Sequence, residues 1–450
     1  MASEGLKVII AGAGIGGLVL ALMLEKASID YIVLERASEF KPLGSSISLT
    51  AQVLRVFDQL GILEEVQAVS LPMSSLTYFK QDLTLMASWD ATIATDRYGY
   101  TSLMFPRPDL MQVLLRQVPP HKIAWGKRVL STMQNTNGVM VRCASGETFD
   151  GDILVGADGA YSAVRQSMYK NLEMKGIHVP PTDTAPLHFD QYCILGVTSD
   201  ISEEYPVLKE NDTQLNVVIA DKKPYNVYCI PLKGGRVGWA ICGKLLQEQF
   251  HDQENFRFSD YGAEAIEEIR DKIDDIPVPI GGSIGQLMDK TEDISRIMLE
   301  DRYAGRTVLI GDACHKLIPA GGQGAIQTIL DCVCLANLLK ELPSTEPADI
   351  TAVFKRYYDI RAPHAKKAVA ASSQLSNLMS SKGLLADMMR GFILKSPRWI
   401  INKSFDSIYG GRPILNYLEQ IDLKGTVKDS SKPATLIDKP SKPSMSAAAL

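Results

Sequence analysis

The first apolar run, Lys7 to Ala11, is followed after a glycine-rich break by Ile15 to Lys26, where Leu, Met and Ala fill most positions. A short run and then a long one predict a buried strand feeding a packed helix. Tyr31 to Leu34 restores the strand pattern. Ser48 to Leu60 carries Leu54, Phe57 and Leu60 at helical spacing and stops at Gly61, so a helix is expected there. Ser75 to Ser88 alternates Leu76, Tyr78 and later Leu85 in the manner of strands. Pro108 to Gln117 returns to helix, with Pro108 suited to a first turn and Leu110, Val113 and Leu114 on one face. Val129 to Cys143 predicts a hairpin around Asn135-Thr136-Asn137-Gly138, and Gly151 to Gly156 another buried strand.

The pattern changes between about 186 and 280. Tyr192 to Thr198, Leu215 to Ala220, Tyr225 to Pro231 and Arg236 to Cys242 are β-rich runs, with Lys233-Gly234-Gly235 as a turn. A charged helix is expected over Tyr261 to Ile273. Thr307 to Ile310 resumes the short apolar strand, and Gly324 to Leu339 is a long apolar helix. The expected organisation is an α/β Rossmann-like dinucleotide domain in three parts (1–75, 101–185 and 286–364). It is interrupted by an excursion at 76–100 and an inserted, mostly antiparallel β-sheet substrate domain at 186–285. A C-terminal helical region at 365–426 and a Ser-, Lys- and Pro-rich tail at 427–450, expected to be disordered, complete the chain.

The glycines between the first strand and helix change the picture from fold to chemistry. Gly12, Gly14 and Gly17 have the spacing of a phosphate loop: a tight turn, a close backbone approach to pyrophosphate, and close helix packing. Ile15 opens the helix whose N-terminus would face the phosphates. Glu35 ends the second strand, 23 positions after Gly12. A carboxylate there accepts ribose hydroxyls and repels a 2′-phosphate, so the site suits FAD or NAD better than NADP; the adjacent Arg36 slightly weakens that exclusion.

Composition bounds the rest. The 450 residues are 46% hydrophobic with a formal charge of -5, which argues against nucleic acid as a partner and exceeds the size of one domain. Seven scattered cysteines fit a reducing compartment and buried small hydrophobes better than a disulfide framework. The six histidines form no metal-ligand spacing with them, so no metal is expected. No apolar stretch is long enough to cross a bilayer. Residues 383–401 hold Leu384, Met388, Phe392, Trp399 and Ile400 among basic residues. That pattern usually packs on the enzyme or on a second subunit; its other use is peripheral contact with a membrane. The expected localisation is cytoplasmic, with that contact as a variant, and the sequence leaves the oligomeric state open.

Two more motifs complete a set. Gly156-Ala157-Asp158-Gly159 leads to Ser162 and Val164-Arg165, and Gly311-Asp312 leads to Pro319, Gly322, Gln323 and Gly324. With these, residues 5 to about 370 resemble the single-component FAD-dependent monooxygenases. This is the aromatic hydroxylase and olefin epoxidase group with a para-hydroxybenzoate-hydroxylase-like fold, and the chain is most similar to fungal salicylate-hydroxylase-like and terpenoid-epoxidase-like members. The resemblance implies that Gly12, Gly14, Gly17 and Glu35 hold the ADP half of FAD, with Ile15, Arg36 and Val129 also expected at the cofactor. Asp158, Gly159 and Arg165 would organise FAD and the passing nicotinamide, Arg107 would contact the flavin side, and Asp312 the ribityl hydroxyls. Pro319, Gly322, Gln323, Gly324 and Ala325 would face the isoalloxazine. For Asp158 a helix-capping role, and for Arg165 a structural one, stand beside these.

The same resemblance implies noncovalent FAD, NADPH or NADH as transient reductant, O2, and a flavin C4a-hydroperoxide that gives one oxygen atom to an aromatic or olefinic substrate. His315 and Lys316 are tempting as acid and base, but such a histidine is more often structural or cofactor-adjacent; no catalytic base is assigned. Tyr192, Val197, Tyr228 and Trp239 are expected in the pocket wall. A non-oxygenating flavin oxidoreductase is the main alternative class.

Overall fold

The computed structural model describes residues 5–436 except 43, 175, 177, 179–190, 221–224, 245–269, 271–272, 293–294, 299–306, 316, 318–320 and 382. The side chains of Gln191, Tyr192, Lys244, Ser295 to Met298, Ser380, Leu384 and Leu385 are also outside the description. At the centre is a five-stranded parallel sheet in the order Val308–Leu309, Ile153–Gly156, Lys7–Ala11, Asp30–Leu34, Ile123–Ala124. Alternation divides the central strand between two cores. Val8 and Ile10 pack among the Ile15–Ala27 and Gly324–Lys340 helices, whereas Ile9 and Ala11 pack with Val141, Leu154 and Val164. A three-stranded antiparallel sheet, Val129–Asn135, Gly138–Cys143 and Thr148–Gly151, covers that second face with the Ala163–Met174 helix. The expected hairpin turns where Asn135 Oδ1 accepts from the Asn137 and Gly138 amides.

The second large sheet has nine strands and is less local than the sequence implies. Ser295–Met298, Gln191–Val197, Arg236–Lys244, Tyr225–Leu232 and Thr213–Ile219 run antiparallel in that order. Thr213–Ile219 then pairs in parallel with Leu71–Lys80, which leads to Leu103–Pro106 and Ser46–Leu49, with Leu85–Asp90 alongside. Strands from both sides of the expected 75/76 and 100/101 boundaries therefore share one sheet with the 186–285 insertion. The helix expected from Ser48 begins only at Ala51, because Ser46–Leu49 is recruited as an edge strand of this sheet. Most of the charged helix expected over Tyr261 to Ile273 lies outside the described residues.

The C-terminal helices are Pro347–Ser380, Leu384–Leu394 and Arg398–Tyr409, so the first crosses the expected 364/365 boundary. Beyond them, residues 410–436 run as an extended strap rather than a helix or a disordered tail. Arg412 and Leu415 are fully buried, Arg55 pairs with Asp429 at 2.6 Å, and Tyr417 donates to the Met23 carbonyl at 2.8 Å. The tail expected to be disordered from 427 is thus pinned as far as Ala434, itself buried; 437–450 lie outside the described residues. Among the described residues, no helix is long and apolar enough to cross a membrane.

One expectation about cysteine is corrected. Cys193 and Cys242 form a disulfide, with their Cα atoms 4.3 Å apart. They stand opposite each other on adjacent antiparallel strands and on the same face, a relationship that a separation of 49 residues hides.

Candidate active site

Three glycines of the first loop have three different neighbourhoods. At Gly12, φ is +103° and a Cβ would fall 2.5 Å from the Ala157 carbonyl oxygen. At Gly17 a Cβ would lie 1.9 Å from the Gly12 carbonyl oxygen, so the helix can sit this close only with hydrogen there. At Gly14 nothing lies within 4 Å, because the position opens on a cavity of about 1880 Å³. Gly14 is also the N-cap of Ile15–Ala27, with no side chain bonded to the helix end. Backbone N–H groups without intrahelical partners therefore face the cavity.

A second helix end repeats the arrangement. Gln323 caps Gly324–Lys340 with no side-chain bond to the helix-end amides, and a Cβ on Gly324 would again meet nothing within 4 Å. Gly322 takes the left-handed φ of +59° that turns the chain into this helix. The two helices pack closely: a Cβ at Gly16 would fall 2.7 Å from Thr328 Cγ2. Two positive helix ends thus open on one cavity, which Ile15, Arg107, Gly159, Asp312, Gln323 and Ala325 also line. One end is suited to a diphosphate and the other to an anionic flavin ring. The open Cβ directions at Gly14 and Gly324 leave room for a ligand beside both helix ends.

The other half of the cavity is the sheet wall. Leu76, Tyr78, Cys193, Leu195, Leu215, Val217, Tyr228, Ile230, Ala240 and Cys242 line it, with Leu375, Met379 and Phe405 from the C-terminal helices. Burial pushes the Tyr228 hydroxyl up to about 12 and raises Tyr78 further, so both phenols stay protonated.

The model of the FAD binding domain family matches residues 5–372. The FAD-dependent monooxygenase paxM of Penicillium paxilli is 31% identical over 397 residues, covering 85% of this chain and 81% of that protein. The chain belongs to the FAD-dependent monooxygenase family. Another such monooxygenase, nodM of Hypoxylon pulicicidum, is 29% identical, with 93% and 90% covered. Among solved structures, Klebsiella pneumoniae HpxO complexed with FAD and uric acid superposes with a TM-score of 0.71 at 21% identity, covering 90% of this chain and 96% of that one. A salicylate hydroxylase substrate complex gives 0.64 at 21%, covering 91% and 98%. These two likenesses show the fold.

Several residues expected to touch FAD also make bonds that hold the monooxygenase together around its site. The Glu35 carboxylate accepts the Ala13 amide at 2.8 Å and the Ala37 amide at 2.9 Å, bracing the glycine loop; Arg36 beside it is exposed. Asp158 Oδ2 accepts from the amides of Ala163 and Val164, the capping role open from sequence, while burial raises its pKa. Arg165 donates to the carbonyls of Ala313 and Ala160, each at 2.6 Å, and so joins the second motif to the third. Val129 is buried in the apolar cluster with Ile9 and Leu34. Pro319 lies outside the described residues.

Of the four expected wall residues, Tyr228 lines the cavity. Trp239 does not: it is fully buried on the opposite sheet face, with Ile273 and Ile284, and donates to Thr291 Oγ1 at 2.9 Å. Period-two alternation puts Ala240 and Cys242 together on the cavity face and Trp239 and Ile241 on the other. Val197 packs beside Met104, Ile230 and Leu232 and is not among the described lining residues. The side chain of Tyr192 is outside the description.

The sequence reading missed Asp331 and Arg361. Asp331 is fully buried; His315 Nε2 lies 2.5 Å from its Oδ2 and Arg361 Nε 2.7 Å from its Oδ1, while the Gly311 amide donates to Oδ2 at 3.0 Å. Burial alone would raise the Asp331 carboxyl, but His315 and Arg361 outweigh it and hold it at about 2. Burial likewise opposes charge on His315, yet Asp331 keeps its pKa well above the usual value. Cys314, His315 and Asp331 are near enough to hold a cation together, but Arg361 already supplies positive charge to that carboxylate. A lone aspartate in the apolar run Gly324 to Leu339 was the available signal.

Proposed function

We propose that this monooxygenase transfers one atom of O2 to an apolar, olefin-bearing small molecule, with NADPH or NADH as electron donor. The sheet wall supports the reading. Among the described residues, the sheet's only titratable contributions to the cavity besides the paired cysteines are Tyr78 and Tyr228, both held protonated by burial, and the one imidazole of the lining, His364, comes from the Pro347–Ser380 helix instead. Ring hydroxylation of a phenol calls for a base that accepts the substrate proton. Epoxidation asks instead for an apolar channel that fixes the double bond and excludes water.

FAD, when bound, supplies the redox chemistry, taking two electrons from NAD(P)H and activating O2. One oxygen atom enters the substrate and the other leaves as water, with a proton taken up. The chain's own contribution is placement. The Gly14 and Gly324 helix ends would hold the diphosphate and ring, Asp312 the ribityl chain, and Arg107 would balance negative charge at the flavin side. Leu76, Leu215, Val217 and Ile230 would press the substrate into position without water.

The test is turnover of the FAD-loaded enzyme with prenylated olefins and with simple phenols, each with both nicotinamides. Coenzyme oxidation, peroxide release and product mass are followed. Oxygenated olefin, with only uncoupled peroxide from the phenols, is expected. Efficient phenol hydroxylation with no olefin product overturns the reading.

A further inference from the structure

The Leu384–Leu394 helix is inside out. Its arginine is buried, 3% exposed, donating to the carbonyls of Leu378 and Ser381 and pairing with Asp387. Leu394 packs inward with Tyr78 and Val217, but four apolar side chains point outward: Phe392 is 78% exposed and Met388 65%, with Met389 and Ile393 on the same side. The next helix, Arg398–Tyr409, adds Trp399 at 68% and Ile400. Exposed apolar residues this concentrated mark a surface that is covered in use.

Charge favours one cover. Lys395, Arg398 and Lys403 are exposed around the patch, in a chain whose formal charge is -5. Of the nearby acids, Asp387 pairs with Arg390, Asp406 with both Arg97 and Tyr98, and Asp90, which lies within reach of Arg398, accepts from the Thr92 amide and hydroxyl. A second copy across a two-fold axis would oppose these like charges, whereas anionic lipid headgroups would neutralise them. Trp399 beside basic side chains matches the boundary between headgroups and acyl chains.

The patch also meets the cavity. Ile393 and Ile408 are both solvent-exposed and cavity-lining, and Phe405 of the second helix also lines the cavity, edge-on to Trp89. We propose that this face rests on an anionic membrane surface and that an apolar substrate passes from the bilayer into the active site between these helices. The entry route rests on the apolar-substrate reading above; the membrane contact does not.

The experiment is co-sedimentation of the FAD-loaded full chain with phosphatidylcholine vesicles, with and without phosphatidylserine. The wild type and two double variants are compared: Phe392→Glu with Trp399→Glu, and Lys395→Glu with Arg398→Glu. Light scattering of each protein without lipid is measured in parallel. Expected are binding to the anionic vesicles, weakening by about tenfold or more in each variant, and retained FAD in all. Absence of wild-type binding, unchanged binding in the variants, or a wild-type dimer that the apolar-face variant dissociates would overturn the proposal. Binding is read without turnover, so a failure to oxygenate olefins would be recognised separately.

Discussion

Arg165 Nη1 donates to the Ala313 carbonyl across 148 residues of sequence, at 2.6 Å. The same guanidinium holds the Ala160 carbonyl, so the Asp158-Gly159 turn and the Gly311-Asp312 turn are set by one side chain. Both Gly159 and Asp312 line the cavity. Arg165→Ala removes two charge-assisted bonds, each worth about 1.5–3 kcal/mol, and part of that loss falls on the cofactor turns. FAD affinity is expected to fall by about tenfold to thirtyfold with secondary structure retained, as measured by flavin fluorescence titration and circular dichroism.

Gly14 and Gly17 make a discriminating pair. Gly17→Ala places a Cβ against the Gly12 carbonyl and should lower thermal stability with or without FAD, by several kcal/mol. Gly14→Val projects into open space, so the apo-protein should melt within about 0.5 kcal/mol of wild type while FAD binding is lost. Thermal unfolding with and without added FAD separates the two.

The Asp331 network predicts a pH dependence of stability. The folded pKa of His315 is raised above 6.5, so its contribution is complete below that pH and is lost as pH rises through the folded value. Asp331 behaves oppositely, contributing above its usual 3.8 and losing that contribution as pH falls toward about 2. Melting temperatures should therefore decline on the alkaline side, and His315→Gln should be less stable near pH 6 with a flatter alkaline limb. Arg361→Ala leaves the buried carboxylate short of a partner and should cost about 3–5 kcal/mol.

If the sheet wall serves by shape and not by proton transfer, Tyr78→Phe and Tyr228→Phe should each keep kcat within about threefold of wild type, less than the roughly hundredfold loss that follows removal of a general base. The check is product formation with an olefinic substrate across pH 6 to 9, where both variants should reproduce the wild-type profile.

What was legible in the chain was local. Gly12, Gly14 and Gly17 declare their loop because Gly12 and Gly17 answer nearby steric demands and Gly14 leaves the helix end open, and Asn135 to Gly138 declare a turn by local hydrogen bonding. The parallel pairing of Thr213–Ile219 with Leu71–Lys80 was hidden, since neither run carries a mark of its partner. Trp239 was misplaced because a strand buried on both faces has no polar side to set its phase. Glu35 and Arg165 were legible as important, but their work as braces shows only when the loops they bridge are in place.

FAD uptake tests the central claim most directly: that two helix ends, at Gly14 and Gly324, share one cofactor cavity. The measurement is flavin stoichiometry and affinity for the wild type, Gly14→Val and Gly324→Val. One FAD per wild-type chain, with sharply weaker binding in either variant and unchanged apo-protein melting, is the expected result. A wild type that takes up no FAD, or variants that bind it as tightly as wild type, would contradict the account.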